Sequence, residues 1–213
     1  FPGGCTRKPE VDLIAAYQSL IGEVRTFIQQ KYIPDLLAVA QAFPEYWDIG
    51  TSKGGFLSYG LLPLGPTPDS GRVFASGLLQ AGTVAPVALD RITEDVRYAR
   101  YSSASGLPVR QGDLVPEPQK AEAYSWIKAP RYGGQMVEVG PAARVLVDYH
   151  QGKNAEVKTL VEHFAGAAGI TPDKLNSVLG RHLCRGICAQ VIADFLLAEA
   201  DRTVPGEPAM ADI

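Results

Sequence analysis

The sequence predicts an α+β fold: a helical bundle formed by the N- and C-terminal helices, with a loop-rich small antiparallel sheet inserted between them. Three observations carry this. Apolar residues recur at steps of three and four near both ends of the chain. Between them, Gly and Pro are dense and the helical period vanishes. Finally, 213 residues suffice to bury a sizeable core without disulfide or metal staples. The expected layout is one unit over 1–213, helical over 9–43 and 153–202, with the sheet and loop insertion over 48–146.

The first helix follows Pro9, with Leu13, Tyr17, Leu20, Ile21, Val24, Phe27 and Ile28 on the face expected to be buried. Pro34, lacking an amide donor, is expected to end or kink it. A second helix restarts at Pro34 with Asp35 at its positive end, buries Leu36, Leu37, Val39 and Ala40, and closes at Pro44. Phe56 to Leu62, Arg72 to Leu79 and Thr83 to Leu89 are short apolar runs between turn residues and read as strands. Thr93 to Tyr101 reads as a short helix capped by Thr93, and Ser102 to Gln119 as an extended surface loop. In the C-terminal third, Val157, Leu160, Val161 and Phe164 share one face of a helix broken at Gly166 to Gly169. Thr171-Pro172-Asp173 reads as the start of the next helix. There Leu175, Leu179, Leu183, Ile187, Val191 and Phe195 recur every four residues, so it is expected to be buried on more than one side. The tail from Pro205 to Ile213 is expected to fray.

Composition narrows the function classes. A net charge of -3 and a pI near 5.6 give no basic footprint for nucleic acid. Three cysteines are too few for a disulfide framework. The most apolar run, Ile187 to Ala200, is interrupted by Gln190, Asp194 and Glu199, so no membrane span is expected. No signal pattern opens the chain, and Phe1-Pro2-Gly3-Gly4 reads as the interior of a longer protein, an excised or processed piece.

No self-contained catalytic constellation emerges. Cys184 and Cys188 share a helix face, but a metal site needs more ligands at turn spacing, so both read as small core residues. Cys5, in a Gly-Gly-Cys-Thr turn, reads likewise. His150, His163 and His182 stand apart and outside any zinc or triad motif, and Lys53-Gly54-Gly55 is no phosphate loop. The Ala123 to Tyr132 stretch and the Val137 to Arg144 stretch interleave aromatic, basic and Pro/Gly residues without a period. They read as ordered loops buried against neighbours, with Arg and Lys donating to unpaired carbonyls. Glu138, between Val137 and Val139, is the carboxylate expected to turn inward. It then needs a partner, and a structural ion pair with Arg or Lys is the commoner outcome than a metal with its waters.

Those blocks, together with Gly3-Gly4-Cys5-Thr6, Tyr32-Ile33-Pro34-Asp35-Leu36-Leu37, Phe56-Leu57-Ser58-Tyr59-Gly60, Ile92-Thr93-Glu94-Asp95-Val96, Leu179-Gly180-Arg181-His182 and Arg185-Gly186-Ile187, closely resemble the large subunit of nickel–iron hydrogenases. The resemblance implies part of a subunit that interconverts dihydrogen with protons and electrons. It also implies a nickel–iron centre, with cyanide and carbon monoxide on the iron, held by four cysteines in two Cys-x-x-Cys pairs. This sequence contains no Cys-x-x-Cys and no Ala-Pro-Arg-Gly, and Ala129-Pro130-Arg131-Tyr132 is a different segment. The chain therefore reads as the middle of such a subunit, expected to bind neither nickel nor iron alone and to be inactive alone. The resemblance further implies that Glu138 accepts hydrogen bonds from waters of a magnesium ion, and that an iron–sulfur small subunit is the partner. Arg181 and Arg185 match family arginines in the long helix, whereas Cys188 replaces a more usual Glu, which puts any ion pair at that helix in doubt. A second reading is a non-catalytic quinone-oxidoreductase relative acting as a structural, quinone-binding scaffold. An apolar stripe meant for absent neighbours would favour self-association. The sequence assigns no compartment.

Overall fold

The computed structural model describes residues 4–5, 8–65, 67, 70–102, 107–108, 110–111 and 114–210. Strand β1 (Gly4–Cys5) precedes helix α1 (Val11–Phe27), a π-helical turn (Ile28–Tyr32) and α2 (Ile33–Ala42). The chain thus stays helical through Pro34, whose missing amide is absorbed where the helix widens. Strands β2 (Phe56–Pro63), β3 (Arg72–Gln80) and β4 (Thr83–Ala85) form an antiparallel sheet in that order, with Phe56 opposite Leu79 and Ser58 opposite Gly77. The third strand stops short of Leu89 because Pro86 cannot extend the ladder; Leu89–Arg91 is instead a 3-10 turn. A second sheet orders β6 (Leu107–Pro108), β5 (Ile92–Asp95) and β7 (Ala129–Tyr132), again antiparallel. Helices α3 (Pro141–Gln151), α4 (Ala155–Ala167) and α5 (Val178–Arg202) follow, and β8 (Ala209–Met210) pairs with β1.

Mixed helices and small antiparallel sheets agree with the α+β class. Helix α5 is the shared element: α1, α2, α3 and α4 all pack on it, while α3 also lies across β2 and β3. Leu179, Leu183, Ile187 and Val191 of α5 are buried, joined by Leu175 just before it, by Val145 and Val147 of α3, and by Val157 and Val161 of α4. Phe74 inserts from β3 into the same cluster.

Several expectations are corrected. The face assigned to α1 is open: Leu13, Tyr17, Leu20, Val24 and Phe27 are exposed and α1 buries no residue, with Ile28 the first one covered. On α2 Ala40 is buried but Val39 is exposed. The segment after Thr93 is not a helix, because Thr93 and Glu94 are claimed by pairing on both sides, opposite Arg131 and Pro130 and opposite Pro108 and Leu107. The tertiary ladder outweighs the local cap signal. Within the surface loop expected from Ser102, residues 103–106, 109 and 112–113 lie outside the described residues, while Leu107–Pro108 is that edge strand.

The range 48–146 is not free of helix, since α3 begins at Pro141. Its signals were Pro in the first turn and a left-handed Gly152 at its end. The long helix starts at Val178, not at Thr171: Thr171 leads only a 3-10 turn (Pro172–Leu175), and Ser177 Oγ accepts the Gly180 amide at 3.1 Å as the true cap. The C-terminal tail is tied rather than frayed as far as Met210, with Gly206 N donating to Pro9 O at 2.8 Å; residues 211–213 lie outside the described residues. The ends of the Gly3 to Thr6 turn and the surroundings of the Cys5 side chain also lie outside them.

Candidate functional site

Glu138 sits where three segments meet. Its amide donates to Gly55 O at 2.9 Å and its carbonyl accepts from Leu57 N at 2.8 Å, so residue 138 is bridged to the start of β2 in parallel. This approach depends on glycine. A Cβ on Gly54 would lie 1.6 Å from Met136 O, and Gly55 holds a φ of +92 that side-chain-bearing residues rarely adopt.

The Glu138 side chain then turns inward, 19% exposed, onto α5. Arg181 Nε donates to Oε1 at 2.7 Å and Nη2 to Oε2 at 2.6 Å, a two-pronged pair. The remaining fork, Nη1, donates to Gly50 O at 2.6 Å. Val178 N donates to Ile49 O at 2.9 Å one turn earlier on α5, so the 49–57 segment is fastened to the helix twice. Donation to the Glu138 carboxylate raises the Arg181 pKa further above its already high ordinary value, and partial burial opposes this. Glu138 thus turns inward, as its flanking valines suggested, and finds an arginine, the commoner of the two partners expected; an ion pair at the long helix forms despite Cys188.

Arg181, Cys184, Arg185 and Cys188 follow one another at helical steps on a single face of α5. Both cysteines are free and buried, as expected of core residues. Burial, with Cys188 and Glu138 close by, drives the Cys184 thiol far above its ordinary range. Burial also raises Cys188, against the opposing effect of Arg144, whose Nη1 donates to Sγ at 3.8 Å, and of Arg185. Without a metal, burial therefore favours the thiol form of both.

The histidines are not brought together. His150 edges against Tyr149, His163 against Phe164, and His182 lies 3.5 Å from Tyr32 Oη. The Ala123 to Tyr132 stretch is less buried than expected: Tyr124 is 80% and Ile127 82% exposed, while Tyr98 stacks on Tyr124 and Tyr101 meets Trp126 edge-on. Apolar side chains can stay outside here because the stretch is ordered by its backbone, which β7 anchors. Basic donors to carbonyls occur within the stretch, where Arg131 Nη1 donates to Pro130 O at 3.1 Å, and next door, where Lys120 Nζ donates to Val96 O and Tyr101 O at 2.9 and 2.7 Å.

Among the described residues no group of three or more His, Cys, Asp or Glu could hold a metal ion. With two thiols on one regular helix and no further ligand gathered beside them, the described residues do not fit a nickel–iron centre. Glu138 alone cannot hold a magnesium ion either, although each of its oxygens keeps acceptor capacity for a water.

One buried carboxyl escaped the sequence reading. Asp148 of α3 is almost wholly buried; Oδ2 accepts the Ala75 amide of β3 at 2.9 Å and Oδ1 the Asn154 amide at 3.1 Å. Burial raises its pKa while those two amides oppose the rise. It follows a run of buried apolar residues, Val145 to Val147, which is the signal that could have marked it as inward.

The model of the family described as "Nickel-dependent hydrogenase" matches residues 1–211. The chain belongs to the nickel-dependent hydrogenase family. Hydrogenase-1 large chain of Escherichia coli strain K12 is 33% identical over 201 residues, covering 81% of this chain and 34% of that protein. The periplasmic NiFeSe hydrogenase large subunit of Desulfomicrobium baculatum is 28% identical over 188 residues, covering 85% and 36%. The structure of the Ni-Fe-Se hydrogenase from D. vulgaris Hildenborough in the as-isolated oxidised state superposes with a TM-score of 0.82 and 27% identity, over 99% of this chain and 44% of that one. The chain spans about a third of the length of these curated relatives. No helix among the described residues is long and apolar enough to cross a membrane.

Proposed function

We propose that this chain is the central framework of the catalytic large subunit of a nickel-dependent hydrogenase, which oxidises dihydrogen reversibly to protons and electrons. On this reading 1–213 is one unit within a longer subunit. The metal ligands come from other segments, and an iron–sulfur small subunit carries the electrons away. The observation that carries it is the fastening of the 49–57 segment, the Glu138 strand and α5 through Arg181, in a chain whose family match runs nearly end to end. Such a seam gives a frame its rigidity without supplying reactive groups of its own. Hydrogenase names on the relatives favour this over a quinone-oxidoreductase scaffold.

Glu138 is the residue of this chain assigned to a cofactor, as an acceptor for a water on a magnesium ion held by other segments. The test is Glu138→Gln in the complete large subunit assembled with its small subunit, read by magnesium content and by hydrogen uptake. Loss of magnesium together with uptake is expected. Full magnesium retention would remove Glu138 from this role. Because α1 leaves its apolar face open, the chain alone is expected to self-associate, and a monomer in light scattering at high concentration would contradict that.

A further inference from the structure

The seam between α3 and α5 is richer in positive charge than its own acids can match. Three guanidinium groups line it, from Arg144, Arg181 and Arg185, and both oxygens of the nearby carboxylate, Glu138, are engaged by Arg181. Arg144 is half-buried in the first turn of α3. Among the described residues its side chain finds one acceptor, the Sγ of Cys188 at 3.8 Å, a weak partner for a group with five donors. Arg185, exposed one turn after Arg181, makes no hydrogen bond or ion pair among the described residues. Arg185 stands three residues before Cys188 on the same face of α5, so both arginines lie beside that buried sulfur. The N-terminus of α3, which has no side-chain cap, adds its positive end within a turn of Arg144. Met136 and Val139, just ahead of that helix, are exposed apolar side chains.

We infer that Arg144 and Arg185 form a docking point for a carboxylate side chain carried by another polypeptide segment. The sign of the charge selects the carboxylate. The apolar flank selects a polypeptide over a free anion, since Arg and Met beside open apolar surface are typical of protein interfaces. The one acceptor that Arg144 finds among the described residues is the neutral thiol of Cys188, so no counter-charge is supplied there.

The test titrates the isotopically labelled chain with N-acetyl-Leu-Glu-Leu-amide and follows the arginine Nε–H resonances by NMR. Saturable shifts at Arg144 and Arg185 are expected, weakened at least tenfold when the peptide's Glu is replaced by Gln and when Arg185→Gln is introduced at this exposed position. Cys188→Glu, which supplies the acid in place, is expected to abolish the Arg144 response. Four results would overturn the inference. They are no shift, equal shifts with the Gln peptide, acetate or sulfate binding as tightly as the peptide, or a dimer of the chain that Arg185→Gln dissolves. The penultimate result assigns the point to free anions and the last to a second copy. Retained amide dispersion in each variant's spectrum separates loss of binding from loss of fold.

Discussion

Helices α1 and α5 carry the same kind of apolar period and meet opposite fates. Of the 25 residues of α5, 11 are buried, enclosed by α1 to α4; of the 17 residues of α1, none is. The contrast teaches that a period of three and four reports a face seeking cover, not whether the cover belongs to the same chain. On α5 the cover is local and the seam around Arg181 is complete. On α1 it is missing, which accords with relatives about three times as long.

The largest expected effect breaks that contrast if it fails. Leu183→Ala on α5 should cost ~2–5 kcal/mol in urea unfolding, as for other enclosed leucines. Leu20→Ala on α1, at a position 60% exposed, should cost under ~0.5 kcal/mol. Similar losses at both would show that α1 is covered in solution. Next comes Asp148→Ala, which strands the Ala75 and Asn154 amides and should cost ~2–3 kcal/mol in the same assay.

Arg181→Ala should follow at ~1–3 kcal/mol, below the figure for a fully buried pair because the Arg181 and Glu138 side chains remain 31% and 19% exposed. A double-mutant cycle with Glu138→Ala measures the pair itself. Additive losses would mean that the two residues do not couple.

The smallest effect is a pH dependence on the far side of α5. Glu156 of α4 is raised to about 7, chiefly by partial burial and then by Asp194, which in turn pairs with Arg25 of α1. The folded state thus binds this proton more tightly than the unfolded chain does. Stability should therefore fall as pH rises from about 4.5 to about 7 and level off above, by no more than ~1 kcal/mol for so exposed a group. Glu156→Gln should flatten that slope, and an unchanged slope would remove Glu156 as its source. Asp148, also raised, contributes with the same sign.

What could be read in the sequence follows from where the information sits. The periods of α1, α4 and α5 and the runs of β2 and β3 are local, and each element emerged, close to its predicted bounds except for α5, which starts seven residues later than Thr171. The fate of Thr93 could not be read, because its partners Arg131 and Pro108 are distant in sequence and outweigh its cap preference. Helix α3 was hidden by reading its opening residues as part of a loop, although Pro141 and Gly152 bracket it. At the site, the valines around Glu138 announced its inward turn, but nothing local named Arg181 as the partner 43 residues away. Gly54 carried a signal as well, since a glycine at a close backbone approach marks the seat of Glu138.

The central claim is that this chain forms a frame around Glu138 and holds no nickel site of its own. Anaerobic incubation of the purified chain with nickel, followed by gel filtration and metal analysis of the protein peak, tests it most directly. Nickel far below one per chain is expected, unchanged by replacing Cys184 and Cys188 with Ser. One retained nickel per chain, lost in that double variant, would contradict it.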